Sequence, residues 1–295
     1  MNILNEQGVS MTDITAVILT KNEEKNIEGC IQSIRGFAKR VVLVDSGSDD
    51  RTVEIAKKCG ADIFVHPFEN YARQFNWGLD NTGIDTKWAL RLDADERFTP
   101  ELCKELEEQM RLHENDEVNG FVLEAWLFFM GKCLKHGGSR KKKLMVFKTG
   151  IGRIEDRKMD EHTVLSSGIA LEIKEKFEHY DFKDLTTYVK KLNWYATREM
   201  QDYFDGAFPD EKMNASNEEI ASIRSKKSRY YKVPMFWRCW AYFFYAYFVK
   251  GNCLNGKEGF IYSFLYHLYY RLLVDAKIYE QIKNPREFEE TGDLK

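Results

Sequence analysis

The 295-residue chain has no large excess of charge of either sign: its formal net charge is −3. That removes any global electrostatic argument for nucleic acid as a partner. Paired cysteines are also missing. Cys30, Cys59, Cys103, Cys133, Cys239 and Cys253 are scattered, and none is spaced C-x-x-C. Free thiols in a reducing cytosol fit this better than disulfides or a zinc site. The opening MNILNEQGVS has no basic stretch followed by an apolar run, so no secretory signal is expected there. Met11 looks like a fresh start, and residues 1–12 are expected to form a disordered tail. Glycine-rich phosphate loops are absent too. No G-x-G-x-x-G follows the first apolar run, and no G-x-x-x-x-G-K-[ST] occurs. A dinucleotide cofactor is therefore not expected, and a phosphate-bearing ligand would need another means of charge neutralisation.

What is present is 43% hydrophobic and 31% charged, enough for one large core or a core with an appendage. The apolar, β-branched run 14–19 reads as a buried parallel strand, and so do 40–44, 61–65 and 87–92. Helical spacing appears over 23–34 and again over 69–81, and a helix carrying Val53, Ile55 and Ala56 can be capped by Ser48 or Asp49. Thr99-Pro100-Glu101 is a helix start with a cap, a first-turn proline and an acid facing the helix dipole. This alternation predicts a parallel sheet with covering helices over the first ~110 residues. Longer, mixed strands follow at 121–129, 143–147 and 169–180, and then a helix at 183–204.

Ligands of open parallel sheets bind beyond the carboxyl ends of the strands. Thr20-Lys21-Asn22-Glu23-Glu24, Asp45-Ser46-Gly47-Ser48 and Asp93-Ala94-Asp95-Glu96 lie at three such ends, and all are expected on one rim. Asp93 and Asp95, two apart on an extended strand end, point to the same side. Such oxygen ligands suit Mg²⁺ or Mn²⁺ held jointly by substrate phosphates.

ILTKNEEKNI, VVLVDSGSDDRTVEIA, RQFNWGL and WALRLDADE resemble the nucleotide-binding half of glycosyltransferase family 2, which has the GT-A fold. Gly137-Gly138, the basic strand Lys142–Phe147, Asp160-Glu161, His179 and the aromatic segment 234–280 resemble a bacterial branch that builds lipopolysaccharide core and capsule. One departure stands out: Asp160 occupies a place where that branch usually has histidine. The resemblance implies an α/β domain over 13–215 with a nucleotide-sugar half at 13–112 and an acceptor half at 113–215. The helical segment 216–295 would follow. It implies inverting, metal-dependent transfer from a nucleotide-sugar, with a UDP-sugar as donor, to a saccharide or lipid-linked acceptor. Thr20, Asn22 and Glu23 would line the base and ribose pocket, Asp45 would accept from the uracil N–H, and Arg73 would approach the donor. Asp93 would bridge ribose and metal, and Asp95 would ligate the metal. His179 is open between a third metal ligand or diphosphate contact and a hydrogen-bonded core histidine. Among the acids of 153–162, the resemblance points to Glu161 as general base, with Asp160 next. Lys141-Lys142-Lys143 is open between a phosphate grip and a solvated edge.

The basic run Arg224–Lys232 precedes a segment dense in tryptophan, tyrosine and phenylalanine. Its uninterrupted apolar stretch, Cys239 to Val249, falls short of the ~20 residues a spanning helix needs. Aromatics beside basic residues suit the interface of an anionic membrane, so a peripheral position on the inner face of the cytoplasmic membrane is expected. The alternative is a packing or homodimer surface. Two other functions share parts of this pattern: a sugar nucleotidyltransferase, which would want a glycine-rich basic loop after the first strand, and an inactive nucleotide-sugar-binding module.

Overall fold

The computed structural model describes residues 11–137, 142–155, 162–180, 183–205 and 229–285. Asp160 and Glu161, together with Gly138, Lys141 and the run 206–228, lie outside them. The described residues group into two compact units. One comprises 11–128 and 142–180, and the other 129–137, 183–205 and 229–285.

The first unit is an α/β layer structure. Its strands are β1 (Thr12–Thr20), β2 (Ala38–Asp45), β3 (Asp62–Val65), β4 (Trp88–Asp93), β5 (Glu96–Arg97) and β6 (Val118–Phe129), whose last residue enters the second unit. After the short return strand β7 (Lys132–Cys133) come β8 (Lys142–Lys148), β9 (Gly152–Ile154), β10 (Thr163–Leu165) and β11 (Ile169–His179). The main sheet runs β3-β2-β1-β4-β8-β6-β11-β5, and β9 with β10 forms a separate ribbon. β3, β2, β1 and β4 are mutually parallel, while β8 inserts antiparallel between β4 and β6. The mixed α/β sheet expected from the sequence is therefore present.

β1 lies at the centre because both of its faces are apolar. Ile14, Ala16 and Ile18 face one core, shared with α1 (Ile27–Ser33), α2 (Thr52–Lys58) and α4 (Pro100–Leu112). Val17 faces the opposite core with Val42, Val44 and α3 (Tyr71–Asn81). The two-residue side-chain period of a strand separates these sets. On the α3 side, Phe75 meets Phe147 edge-on at 6.4 Å. Both rings are fully buried, and each burial is worth roughly 2–3 kcal/mol by transferred area.

Two local expectations resolve differently. Thr99 does cap α4, accepting from the Leu102 N–H at 3.2 Å. Neither Ser48 nor Asp49 caps α2, which starts only at Thr52. There the Asp50 carboxylate accepts from the Thr52 N–H at 2.9 Å, while the Ser48 hydroxyl donates to Asp45. Thr12 already belongs to β1, so ordered structure begins inside the segment expected as a tail.

The second unit is helical: α5 (Leu185–Phe204), α6 (Trp237–Phe244), α7 (Gly256–Tyr262) and α8 (Tyr270–Lys283), with π-helical segments at Tyr245–Val249 and Ser263–Tyr269. The chain thus groups α5 with the C-terminal helices rather than with the sheet. Buried polar bonds tie them. Glu199 of α5 accepts from the Tyr231 hydroxyl at 2.8 Å, from Arg271 Nη1 at 2.9 Å and from the Tyr270 hydroxyl. Arg238 and Asp275, 2% and 1% exposed, form an ion pair, and Asp275 also accepts from the Phe236 N–H at 2.8 Å. Arg238, which breaks the apolar run in the sequence, is thus an interior residue. Gly137 shows why half of the glycine pair is needed: its φ is +102°, and a Cβ there would overlap Asn252.

The opposite side of these helices is aromatic and exposed. Trp237, 75% exposed, Trp240, Phe244 and Phe248 follow one another at helical spacing. The rings of Trp240, Phe244 and Phe248 stack in sequence at 6.3 and 6.1 Å. Tyr247 extends the row to Phe260 and Phe264. Among the described residues no helix is long and apolar enough to cross a membrane.

Candidate active site

The carboxyl ends of β1 and β2 carry two loops that clasp each other. Lys21 Nζ donates to the Gly47 carbonyl at 2.6 Å, and the Asn22 N–H donates to Ser48 Oγ at 2.9 Å. The Asp49 N–H returns a bond to Asn22 Oδ1 at 3.1 Å, and the Glu23 N–H reaches Thr52 Oγ1 at 2.7 Å. Asn22 takes a positive φ of 56° to do this, a conformation asparagine tolerates better than most residues. Asp45 is the hinge of the clasp and is 1% exposed. Oδ1 accepts from the Thr20 hydroxyl at 2.9 Å and the Ser48 hydroxyl at 2.6 Å. Oδ2 accepts from the Gly47 and Ser48 N–H groups at 2.8 and 2.7 Å. Thr20, Asn22, Glu23 and Asp45 are therefore brought together, with the Asp45 carboxylate turned into the loop.

The RQFNWGL segment lies in α3. Gln74 is buried and joins Ser46 Oγ at 3.1 Å to the His66 carbonyl at 3.0 Å, and Trp77 stacks on His66 at 4.3 Å. Asn76 clamps β9 through the Ile154 N–H and carbonyl. Gly78 lets the helix approach Val44 and Val17, since a Cβ would sit 3.0 Å from the former. Arg73 lies exposed in the first turn and pairs with Glu69 at 2.6 Å.

Several charged side chains meet at the end of β4. Asp93 Oδ2 is 2.8 Å from Lys143 Nζ, and Asp93 Oδ1 accepts from the Tyr71 hydroxyl. That hydroxyl in turn receives Arg91 Nε at 3.0 Å. Lys143 also donates to Glu96, which is almost wholly buried and whose second oxygen accepts from the Asp93 N–H at 3.0 Å. Burial would raise the Asp93 carboxyl, but the Lys143 and Arg91 charges prevail and hold it at about 2. Burial pushes Glu96 up, against the pull of Lys143. Burial would lower Lys143, yet Asp93 and Glu96 raise it above its ordinary value. Lys143 is thus a half-buried counter-ion to Asp93 and Glu96 rather than a solvated edge residue. Lys142, one residue earlier, faces outward to Glu172 at 2.6 Å.

β5 carries Asp95 to β11. His179 pairs with Glu96 across the strands, and the Tyr180 N–H donates to the Asp95 carbonyl at 2.7 Å. This leaves His179 Nε2 3.4 Å from Asp95 Oδ2. That separation suits two neighbouring ligands around one cation with bonds of ~2.1 Å. Asp93, by contrast, is engaged by a lysine. No three acidic, histidine or cysteine side chains converge as a ready cage among the described residues. The donor set fits a cation held by few protein ligands and completed by substrate phosphates, as is usual for Mg²⁺. His162 serves through its backbone, its carbonyl accepting from the Glu155 N–H at 3.0 Å.

The sequence reading missed Tyr71, Arg91 and the pairing of Lys143 with Asp93 and Glu96. Tyr71 sits two residues from the Arg73 it singled out, on the side of the helix turn that faces Asp93.

Residues 15–180 match the model of glycosyl transferase family 2. An uncharacterized glycosyltransferase of Rickettsia felis is 25% identical over 284 residues, covering 92% of this chain and 91% of that protein. The lipopolysaccharide core biosynthesis glycosyltransferase LpsC of Rhizobium meliloti is 26% identical over 279 residues, covering 91% and 92%. Among solved structures, S. aureus TarS 1–349 aligns with a TM-score of 0.40 and 16% identity over 63% of this chain and 64% of that one. Glucosyl-3-phosphoglycerate synthase from Mycobacterium tuberculosis, in complex with Mn²⁺, UDP and glucosyl-3-phosphoglycerate, aligns with a TM-score of 0.30 and 21% identity over 40% and 44%. This chain spans less than two thirds of either solved chain.

Proposed function

The chain belongs to glycosyl transferase family 2, and from that premise we propose that it transfers a sugar, with inversion, from a UDP-sugar to a saccharide or lipid-linked acceptor of the cell surface. The observation that carries this reading is the meeting of Asp95 with His179 beside Asp93, on the sheet that also bears the Thr20–Asp45 clasp. LpsC bears the name of a lipopolysaccharide core enzyme and aligns over nearly the whole chain, which supports an acceptor of that class. Asp95 and His179 would hold Mg²⁺ or Mn²⁺, with Asp93 bridging toward the ribose. The cation supplies charge neutralisation for the departing diphosphate, so no protein acid is needed there. Thr20, Asn22 and Glu23 would face the base and ribose, and the Asp45 carboxylate, by fixing both loops, sets the shape they meet. For Asp45 to take the uracil N–H as well, one of its loop donors would have to yield. Arg73 would have to leave Glu69 to approach the donor.

On the acceptor side, Glu161 takes the proton from the attacking hydroxyl as that oxygen bonds to the anomeric carbon and the nucleoside diphosphate leaves. Asp160 is the nearest substitute. The exposed row from Trp237 to Phe264 would lie at the surface of an anionic membrane on its cytoplasmic side. Exposed Arg229, Lys232, Lys250 and Lys257 supply the complementary charge. A second copy of the chain is the other occupant such a face could take.

The deciding experiment is calorimetric titration of UDP with and without Mn²⁺. Binding should require the cation, and Asp95→Ala should abolish the dependence. Cation-independent binding, or an unchanged affinity in the variant, would remove Asp95 from the site.

A further inference from the structure

Three carboxylates crowd the end of β4: Asp93, Asp95 and Glu96. Two cationic side chains face them. Arg91 is held on three sides, by the Tyr71 hydroxyl at 3.0 Å, by Thr163 Oγ1 at 3.1 Å and by stacking 4.6 Å over the Tyr71 ring. It has no room to follow a ligand. Lys143 hangs from β8 on a flexible four-carbon stem, its side chain partly exposed, and among the described residues its ammonium bonds to the carboxylates of Asp93 and Glu96 and lies 6.0 Å over the Phe177 ring. Glu96 is buried and pinned by the Asp93 N–H, so the backbone fixes where that carboxyl sits. The bond from Lys143 to Asp93 is the movable one.

We propose that Lys143 is a built-in place-holder for the divalent cation: it neutralises Asp93 while the donor site is empty and passes to the donor's diphosphate when cation and nucleotide bind together. The inference rests on the reading that Asp93 and Asp95 face the cation. A cation arriving alone meets the Lys143 ammonium at the carboxylate it needs, and like charges at such range repel. A diphosphate arriving alone is attracted by Lys143 but meets three carboxylates. Arriving together, the diphosphate gives Lys143 a new anion and frees an oxygen of Asp93. Each ligand therefore raises the affinity of the other by the same factor.

The test uses the full chain and three titrations: Mn²⁺ alone, UDP alone, and UDP with saturating Mn²⁺. Lys143→Met keeps the stem and deletes the charge. It should bind Mn²⁺ alone about 10-fold more tightly and UDP with Mn²⁺ about 10-fold more weakly, so that the coupling between the two shrinks. Lys143→Arg should restore the coupling. Because Lys143→Met leaves two carboxylates without their cation, the double variant Lys143→Met with Glu96→Gln is measured beside it, and it should show the same gain in Mn²⁺ affinity over Glu96→Gln alone. A residue that merely supported the fold would weaken both ligands in step. Unchanged or weaker Mn²⁺ binding in Lys143→Met and in the double variant overturns the proposal. Failure of the underlying reading looks different: Asp95→Asn in the otherwise native chain would then keep its Mn²⁺-dependent UDP binding, whatever Lys143 does.

Discussion

Lys143 Nζ lies 2.8 Å from Asp93 Oδ2, joining β8 to the carboxyl end of β4. The two strands pair antiparallel only from Trp88 opposite Lys148 to Leu90 opposite Val146, and β8 shifts its register against β6 just beyond, between Val146 and Leu144. The contact is therefore made by the side chains past the last paired residues, and it sets the charge that any ligand at the rim encounters.

The general base is tested by turnover. Glu161→Gln keeps the shape of the side chain and removes its basicity. It should lower kcat by ~10²–10⁴-fold while leaving UDP affinity nearly unchanged. Asp160→Asn, assayed alongside, should retain most activity. Wild-type turnover in Glu161→Gln together with a collapse in Asp160→Asn moves the role one residue back.

For the aromatic face, the probe is co-sedimentation with vesicles of phosphatidylglycerol and phosphatidylcholine. Trp237→Ser with Trp240→Ser and Phe248→Ser should weaken binding at least ~10-fold, since each buried aromatic contributes on the order of 1 kcal/mol or more. The native chain should also release as salt rises. A chain that stays in the supernatant but elutes as a dimer, made monomeric by the same substitutions, would assign the face to a second copy.

The Arg238–Asp275 pair sets the stability of the helical unit. Asp275→Ala strands a buried guanidinium and should cost about 3–5 kcal/mol in urea unfolding. Arg238→Met with Asp275→Leu should recover most of that. The lost bond to the Phe236 N–H should leave a deficit of about 1 kcal/mol. Equal losses in single and double variants would contradict the ion-pair argument.

His267 makes the same unit acid-sensitive. Burial, aided by the Arg271 charge, lowers its folded pKa to about 3. The groups facing it are Arg271 and the rings of Tyr242, Tyr262 and Tyr266. The unfolded chain takes up this proton below about pH 6.5 and the folded chain does not. Stability from this source is thus whole above pH 6.5 and falls by up to ~1.4 kcal/mol per unit as pH drops toward 3. Thermal midpoints of the native chain and His267→Gln should converge across that interval. Parallel curves would mean that His267 is protonated in the folded state.

The parallel half was legible because β1, β2 and β4 are unbroken runs of buried apolar residues, and because Thr99-Pro100 marks a helix start by local chemistry alone. β5, β9 and β10 were not, being two or three residues long and held by pairings distant in sequence. For the same reason the sequence left His179 open between a third metal ligand and a core histidine; the pairing of β5 with β11 is what sets its ring 3.4 Å from Asp95. Lys143 looked like one of three lysines in a run; its bonds to Asp93 and Glu96 distinguish it from Lys142, which pairs with Glu172. In the helical part, aromatic composition hid a polar interior. Nothing in the local pattern marks Glu199, Arg238 and Asp275 as interior; their bonds to distant residues do.

The clasp between the loops after β1 and β2 ties two distant stretches of sequence into one unit of change. The N–H groups of Asn22 and Glu23 are answered by side chains of Ser48 and Thr52, and those of Asp49 and Arg51 by side chains of Asn22 and Glu24. The two segments behave as one inheritable cassette, although more than twenty residues separate them in the chain. A recombinant that swaps in only one of them from a relative would carry mismatched halves of the clasp. Substitutions in one loop should therefore travel with matching substitutions in the other.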